Sequence, residues 1–143
     1  MYEKLVLLIK LYKRLILKRQ GKLTQVEQMA RAIEHHEGFF VGSRSYRNNN
    51  PGNIKFAGQY KAMGTDDKGF AIFDTYADGY NALIKLIENA CDGKSITYRP
   101  SMTLYDFFGK YAPQSDNNDS EAYAVAVASE MKLSPYQVIG ELT

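Results

Sequence analysis

The sequence predicts a mostly helical α+β fold, with a small β-element inserted after an early helix. Three observations predict it. Helix-start signals punctuate the chain: Thr24-x-x-Glu27, Thr75-x-x-Asp78, Thr103-x-x-Asp106 and Ser134-Pro135-x-Gln137. In each, a hydroxyl can cap an amide near the helix start, and an acid or amide can return the bond. Between the first two signals the texture changes. Residues 44–56, RSYRNNNPGNIKF, are rich in turn formers, and IKF, QYKAM and FAIFD follow as short strand-like segments split by Gly58 and GTDDKG. Finally, 143 residues with 45% hydrophobic and 24% charged side chains suit one domain that buries a core without disulfides or metals.

Residues 1–22 form a separate leader. They carry Lys4, Lys10, Lys13, Arg14, Lys18, Arg19 and Lys22 against one acid, Glu3, whereas the net charge of the whole chain is only +2. Such a basic extension points to an anionic contact. Lys10, Arg14 and Lys18 recur every four residues on one helical face, and Leu5, Leu8, Ile9, Tyr12, Leu15 and Ile16 occupy the opposite side, so a basic amphipathic helix over 3–19 is expected. The longest apolar run, LVLLI, is too short to span a bilayer, and no cleavable signal peptide is evident. Three roles remain open for residues 1–20: docking the apolar face on the domain or a second chain, lying on a membrane, or acting as an export or packaging segment in contact with a virion protein.

The domain proper is expected over 23–143, with further helices over 25–37, 76–92, 104–111, 120–132 and 135–142. In the helix over 76–92, Tyr76, Tyr80, Leu83, Ile87 and Ala90 share one stripe and should face the core. Pro135 suits a first helical position, and Asp119-Ser120 suits a helix start. Cys91, the single cysteine, cannot form an internal disulfide and reads as a small buried apolar residue. With only His35 and His36 to assist it, no metal site is expected, and no cofactor or nucleic-acid partner is indicated.

The chemical signal lies in TQVEQMARAIEHHEGF. Val26, Met29, Ala30 and Ile33 fall on one narrow helical stripe, and Glu37 falls at its centre one turn later. Glu34 and His36 lie on the flanks and His35 behind. A carboxyl on the core-facing side is costly to ionise, so its pKa should rise. The helix C-terminus, which Gly38 can close with a left-handed residue, adds to that effect. A carboxyl kept protonated near neutrality is what a general acid needs to protonate a glycosidic leaving group. The alternative is a Glu37 that only bonds loop amides. Arg47-Asn48-Asn49-Asn50-Pro51-Gly52-Asn53 likewise reads either as a turn or as an amide-lined contact for a polymer rich in hydroxyl and N-acetyl groups. Eleven tyrosines and no tryptophan fit sugar stacking and core filling equally.

Taken together, AIEHHEGFF, SRSYRNNNPGNIKF, GFAIFDTYADGYNAL, TLYDFFGKYAP and NDSEAY, in that order, resemble the small muralytic domains of phages and bacteria in the lysozyme superfamily. The second block is also similar to the N-N-x-x-G-I-K block of bacterial glucosaminidases. The likeness spans roughly residues 25–135; RNNNPGN is its most specific part and Glu-Gly its weakest. It implies a lysozyme-like fold carrying a small β-hairpin, to which the leader, outside the likeness, adds an extra N-terminal amphipathic helix. It also implies cleavage of the β-1,4 bond between N-acetylmuramic acid and N-acetylglucosamine in peptidoglycan. By the same resemblance Glu37 is the catalytic acid, Asn48, Asn49 and Asn53 line the cleft and orient it, and Tyr111 contacts sugar. The expected setting is a phage virion or the host cell envelope. No motif supplies a second carboxylate; Asp66, Asp67 and Asp74 are the candidates, so hydrolase and lytic transglycosylase both stay open. The rival is a non-catalytic peptidoglycan-binding or virion structural domain.

Overall fold

A computed structural model describes residues 2–143. It contains six α-helices, α1 (Tyr2–Arg19), α2 (Gln25–Glu37), α3 (Arg44–Arg47), α4 (Tyr76–Asp92), α5 (Leu104–Tyr111) and α6 (Ser120–Met131). Strands β1 (Ala62–Thr65) and β2 (Ala71–Phe73) form one antiparallel hairpin between α3 and α4, in the register Thr65 to Ala71 and Ala62 to Phe73 with an irregularity between them. The architecture is therefore mostly helical α+β.

Local chemistry explains the helix starts. Thr24 and Thr103 form reciprocal capping boxes with Glu27 and Asp106. Thr75 and Asp119 cap α4 and α6 by accepting from the amides of Asp78 and Ala122. α2 ends at Gly38, whose φ of 71° is left-handed and favours glycine. The core is built where α2, α4, α5 and α6 meet: Met29, Ile33, Leu83, Ile87, Leu104, Phe107, Phe108 and Val127 are essentially solvent-free. Cys91 is buried among them, and burial pushes its thiol up to about 12.

Four expectations need correction. Residues 135–142 do not form an α-helix. Ser134 makes a turn with Tyr136 and Gln137 instead, Val138 bridges Thr103, and only Ile139–Leu142 coils, as a 3-10 turn. The carbonyls of Pro135 and Gln137 are drawn off to the first amides of α5, Tyr105 and Leu104, so an independent helix there would leave those donors unpaired. The three strand-like segments reduce to a two-stranded hairpin, with IKF contributing only the bridge Lys55–Phe70. Within the amide-rich stretch a short helix, α3, appears instead of a continuous turn, capped by Ser43. The first turn of the α4 stripe is a surface turn: Tyr76 is exposed and donates to Glu34 Oε1 at 2.5 Å, while Leu83, Ile87 and Ala90 are buried below it.

The leader also inverts the usual docking. No residue of α1 is buried. Its basic face meets the body, through Lys10 to Asp92 at 3.5 Å and Arg14 to Glu88 at 3.2 Å, both on α4. Docking of the apolar face on the domain is thus not what the structure shows. The surface beneath α1 presents Asp92 and Glu88 to Lys10 and Arg14, and Leu17 lines a crevice there with Val26 and Leu142.

Candidate functional site

Glu37 ends α2 one turn beyond Ile33, partly buried and facing two tyrosines from the opposite helices. Burial raises its carboxyl to about 7, and the neighbouring Tyr123 hydroxyl opposes that rise in part. The Tyr123 hydroxyl is itself buried and reaches no partner at full hydrogen-bond geometry. Its pKa is driven far up, by burial first and then by Tyr111 and Glu37, so it stays a neutral O–H beside the carboxyl. The other titratable groups of the segment are engaged elsewhere, Glu34 with the Tyr76 hydroxyl. His35 pairs with Glu130 at 2.8 Å, and His36 lies against the Tyr123 ring at 3.8 Å between centroids, its pKa lowered by burial. Glu37 is the one carboxyl of this helix end held in an apolar, aromatic setting.

Tyr111, at the end of α5, donates its hydroxyl to the Gly52 carbonyl at 2.5 Å. Burial, and secondarily the Glu37 charge, hold that hydroxyl well above its ordinary pKa. This bond joins the α5–α6 side of the site to the amide loop. Gly52 permits it: a Cβ there would stand 2.8 Å from the Tyr111 oxygen and 2.8 Å from Leu83 Cδ1. The remainder of the Tyr111 side chain faces a groove.

The amide loop is held from three directions. Asn48 donates to Asp66 Oδ2 at 3.0 Å, and its carbonyl accepts from the Phe73 amide. Asn49, at φ 50°, donates to the carbonyls of Phe73 and Asp74, both at 3.1 Å. Its own carbonyl presses against α4 where Gly79 sits; a Cβ on Gly79 would stand 1.8 Å from that oxygen. Asn50 is fully buried and makes three bonds, donating to Ile54 and Ala71 carbonyls and accepting from the Ile54 amide. Asn53, at φ 47°, turns its side-chain oxygen into the interior, where it has no partner.

The sequence-derived assignments therefore divide. Glu37 and Tyr111 come together, although 74 positions apart in the chain, and Asn53 joins Tyr111 along one groove of about 550 Å³. Glu37 is not itself among the groove-lining residues, although its charge is felt by Tyr111. Asn48 and Asn49 spend their amide N–H groups on the hairpin, so they fix the loop from within the protein, and neither lines the groove. Asp66 accepts from the amides of Phe70 and Lys68 and from Asn48, with Arg44 at 3.8 Å; these outweigh its partial burial and hold the carboxyl below the usual range. Asp67 and Asp74 lie exposed on the hairpin and its exit. Burial and Tyr123 account for the Glu37 shift, with no carboxylate among its causes.

Asn50, Tyr123 and Gly79 carry weight that sequence reasoning did not assign. Tyr123 was visible only as part of NDSEAY, and nothing in its helix periodicity points at Glu37. An aromatic cluster just past Glu37 was also missed: Phe39 lies 5.2 Å from Tyr46 and 5.3 Å from Tyr76, ring to ring, with both tyrosines exposed.

The groove continues past Ile54, Gln59, Leu86 and Tyr98 into a second cavity of about 800 Å³ between the segment before β1, α4 and residues 94–98. Arg44, Lys55, Lys68 and Lys110 line the first part and Lys61, Lys85 and Lys94 the second, against Asp78 and Asp116. A cationic channel of this kind draws anionic ligands. No protein-family model, curated protein or solved structure matches the chain.

Proposed function

We propose that this chain cleaves the glycan strands of bacterial peptidoglycan, acting on the β-1,4 bond between N-acetylmuramic acid and N-acetylglucosamine, with Glu37 as general acid on a lysozyme-like fold. One observation carries the reading: a carboxyl at the end of a core-packed helix, raised to about 7 and set against Tyr111 and Tyr123. Such a carboxyl is protonated in part at neutral pH and can give its proton to a leaving oxygen. The cationic groove supports the same substrate, because the peptide stems of peptidoglycan bear carboxylates. The resemblance of RNNNPGN and Tyr-Ala-Pro to muralytic domains points the same way, toward a phage virion or the host envelope.

Of the two outcomes, internal attack fits better than hydrolysis. Asp66 is saturated with donors and held acidic, and no carboxylate perturbs Glu37. In internal attack Glu37 protonates the leaving O4 as the muramyl O6 bonds to C1; the carboxylate then takes the O6 proton, leaving a 1,6-anhydro product and consuming no water. Mass spectrometry of digested sacculi tests both levels. Anhydro-muropeptides, lighter by one water than hydrolytic products, are expected, and Glu37→Gln should abolish them. Reducing-end hydrolytic products would instead assign a hydrolase. Intact sacculi that nonetheless bind the protein would favour a non-catalytic peptidoglycan-binding domain.

A further inference from the structure

The face of α1 turned away from the body carries Leu5, Leu8, Ile9, Leu11, Tyr12 and Leu15, each 47–64% exposed. Surface helices normally bury such a face, because its burial is the main source of helix stability in a folded protein. Here the side that meets the body is mixed, with the half-buried Val6 and Leu17 flanking Lys10. Lys10 reaches Asp92 and the Thr143 hydroxyl, and Arg14 reaches Glu88. Lys10 and Arg14, with Val6 and Leu17 beside them, face the body, and the other leucines are left outward.

What covers the face can be argued from its borders. At 100° per residue, Lys18 stands at one edge of the apolar arc and Lys13 at the other, with Lys4 and Arg19 closing its two ends. All four are exposed, and none is paired with an acid among the described residues. Two copies meeting through this face would bring like charges together along both edges. An anionic lipid surface accepts both features at once, leucines among the acyl chains and lysines at the headgroups. The helix is 18 residues long, and no helix among the described residues is long and apolar enough to cross a membrane. We infer that α1 lies in the plane of an anionic membrane and holds the body, with its groove, against that surface.

Two vesicle experiments on the full chain test this. In co-sedimentation, binding to phosphatidylglycerol vesicles should exceed binding to phosphatidylcholine vesicles by about tenfold or more at low salt, and fade as salt rises. The double variant Leu8→Glu/Leu15→Glu should lose sedimentation while unfolding at the same temperature, since both side chains are exposed. The chain has no tryptophan, so Leu8→Trp provides a single reporter whose emission should shift to the blue on phosphatidylglycerol vesicles. The inference is overturned if the full chain stays in the supernatant, if neutral vesicles bind it equally, if the double variant binds like the parent, or if the Trp emission does not move. A dimer detected by ultracentrifugation without lipid and abolished by Leu8→Glu/Leu15→Glu would assign the face to a second copy and overturn it too.

Discussion

Glu37 illustrates how position sets chemistry. Glu34, on the flank of the same helix, accepts instead from the hydroxyl of the exposed Tyr76 and does not face the Tyr111–Tyr123 pair. The Glu37→Gln variant should lose most activity, on the order of 10²–10⁴-fold, while Glu34→Gln stays within a few-fold of the parent. The decline of parental activity on sacculi as pH rises should centre near 7, where Glu37 ionises. Stability gives an independent check. The unfolded carboxyl ionises at 4.5 and the folded one at about 7, so the unfolded state loses its proton first as pH rises. Stability linked to Glu37 is complete below 4.5, falls through that interval and is gone above about 7. The full cost is about 3 kcal/mol. Glu37→Gln should therefore melt higher than the parent at pH 8 by several degrees, with little gain at pH 4; equal gains at both would disprove the linkage. At the same scale, Asn50→Ala leaves the buried Ile54 amide without its acceptor and takes a donor from the Ile54 and Ala71 carbonyls, of which Ile54 keeps the Ala71 amide, and should cost roughly 2–4 kcal/mol in urea unfolding.

At the scale of elements, the amide loop is a joint between three parts of the molecule. Asn48 and Asn49 tie it to the hairpin, Tyr111 ties Gly52 to α5, and Gly79 lets the Asn49 carbonyl nest against α4. Gly79→Ala places a methyl within bonding distance of that carbonyl, so either α4 or the loop must move. Although alanine is the better helix former by about 1 kcal/mol, the clash should dominate. The expected outcome is a lower melting temperature together with lost activity; a stabilised, active Gly79→Ala would show that the contact can relax. Here the sequence was legible only in part. RNNNPGN announced a special loop, but not which amides face inward, because an Asn side chain reads the same whether its partner is a sugar or a backbone carbonyl. Capping signals located α2, α4, α5 and α6 well. The signal at Ser134 failed, because the carbonyls that follow it were already needed by the start of α5.

For the whole molecule, α1 and the body are joined by solvent-accessible ion pairs and by a narrow apolar contact at the half-buried Leu17. Exposed ion pairs such as Lys10–Asp92 and Arg14–Glu88 contribute about 1 kcal/mol or less each. Removing residues 2–20 should therefore lower the melting temperature by only a few degrees and leave cleavage of soluble glycan fragments nearly intact, while attachment to anionic vesicles is lost. Unfolding of the truncated chain would show instead that the leader completes the fold. The cationic groove adds a prediction of its own. Lys85→Glu/Lys94→Glu should slow digestion of peptide-bearing sacculi most at low salt and converge on the parent at high salt, read by turbidity clearance.

By itself the sequence determined the fold class, the helix that carries Glu37, the side of that helix on which it lies, and the two-faced character of the leader. Each of these follows from periodicity and capping, which act over a few residues. The tertiary structure decided the rest: which tyrosines surround Glu37, which amides the loop spends internally, that Asp66 is saturated with donors, and that α1 turns its leucines outward. Those outcomes depend on residues far apart in the chain competing for the same donors, carboxylates and space, and no local pattern records who wins.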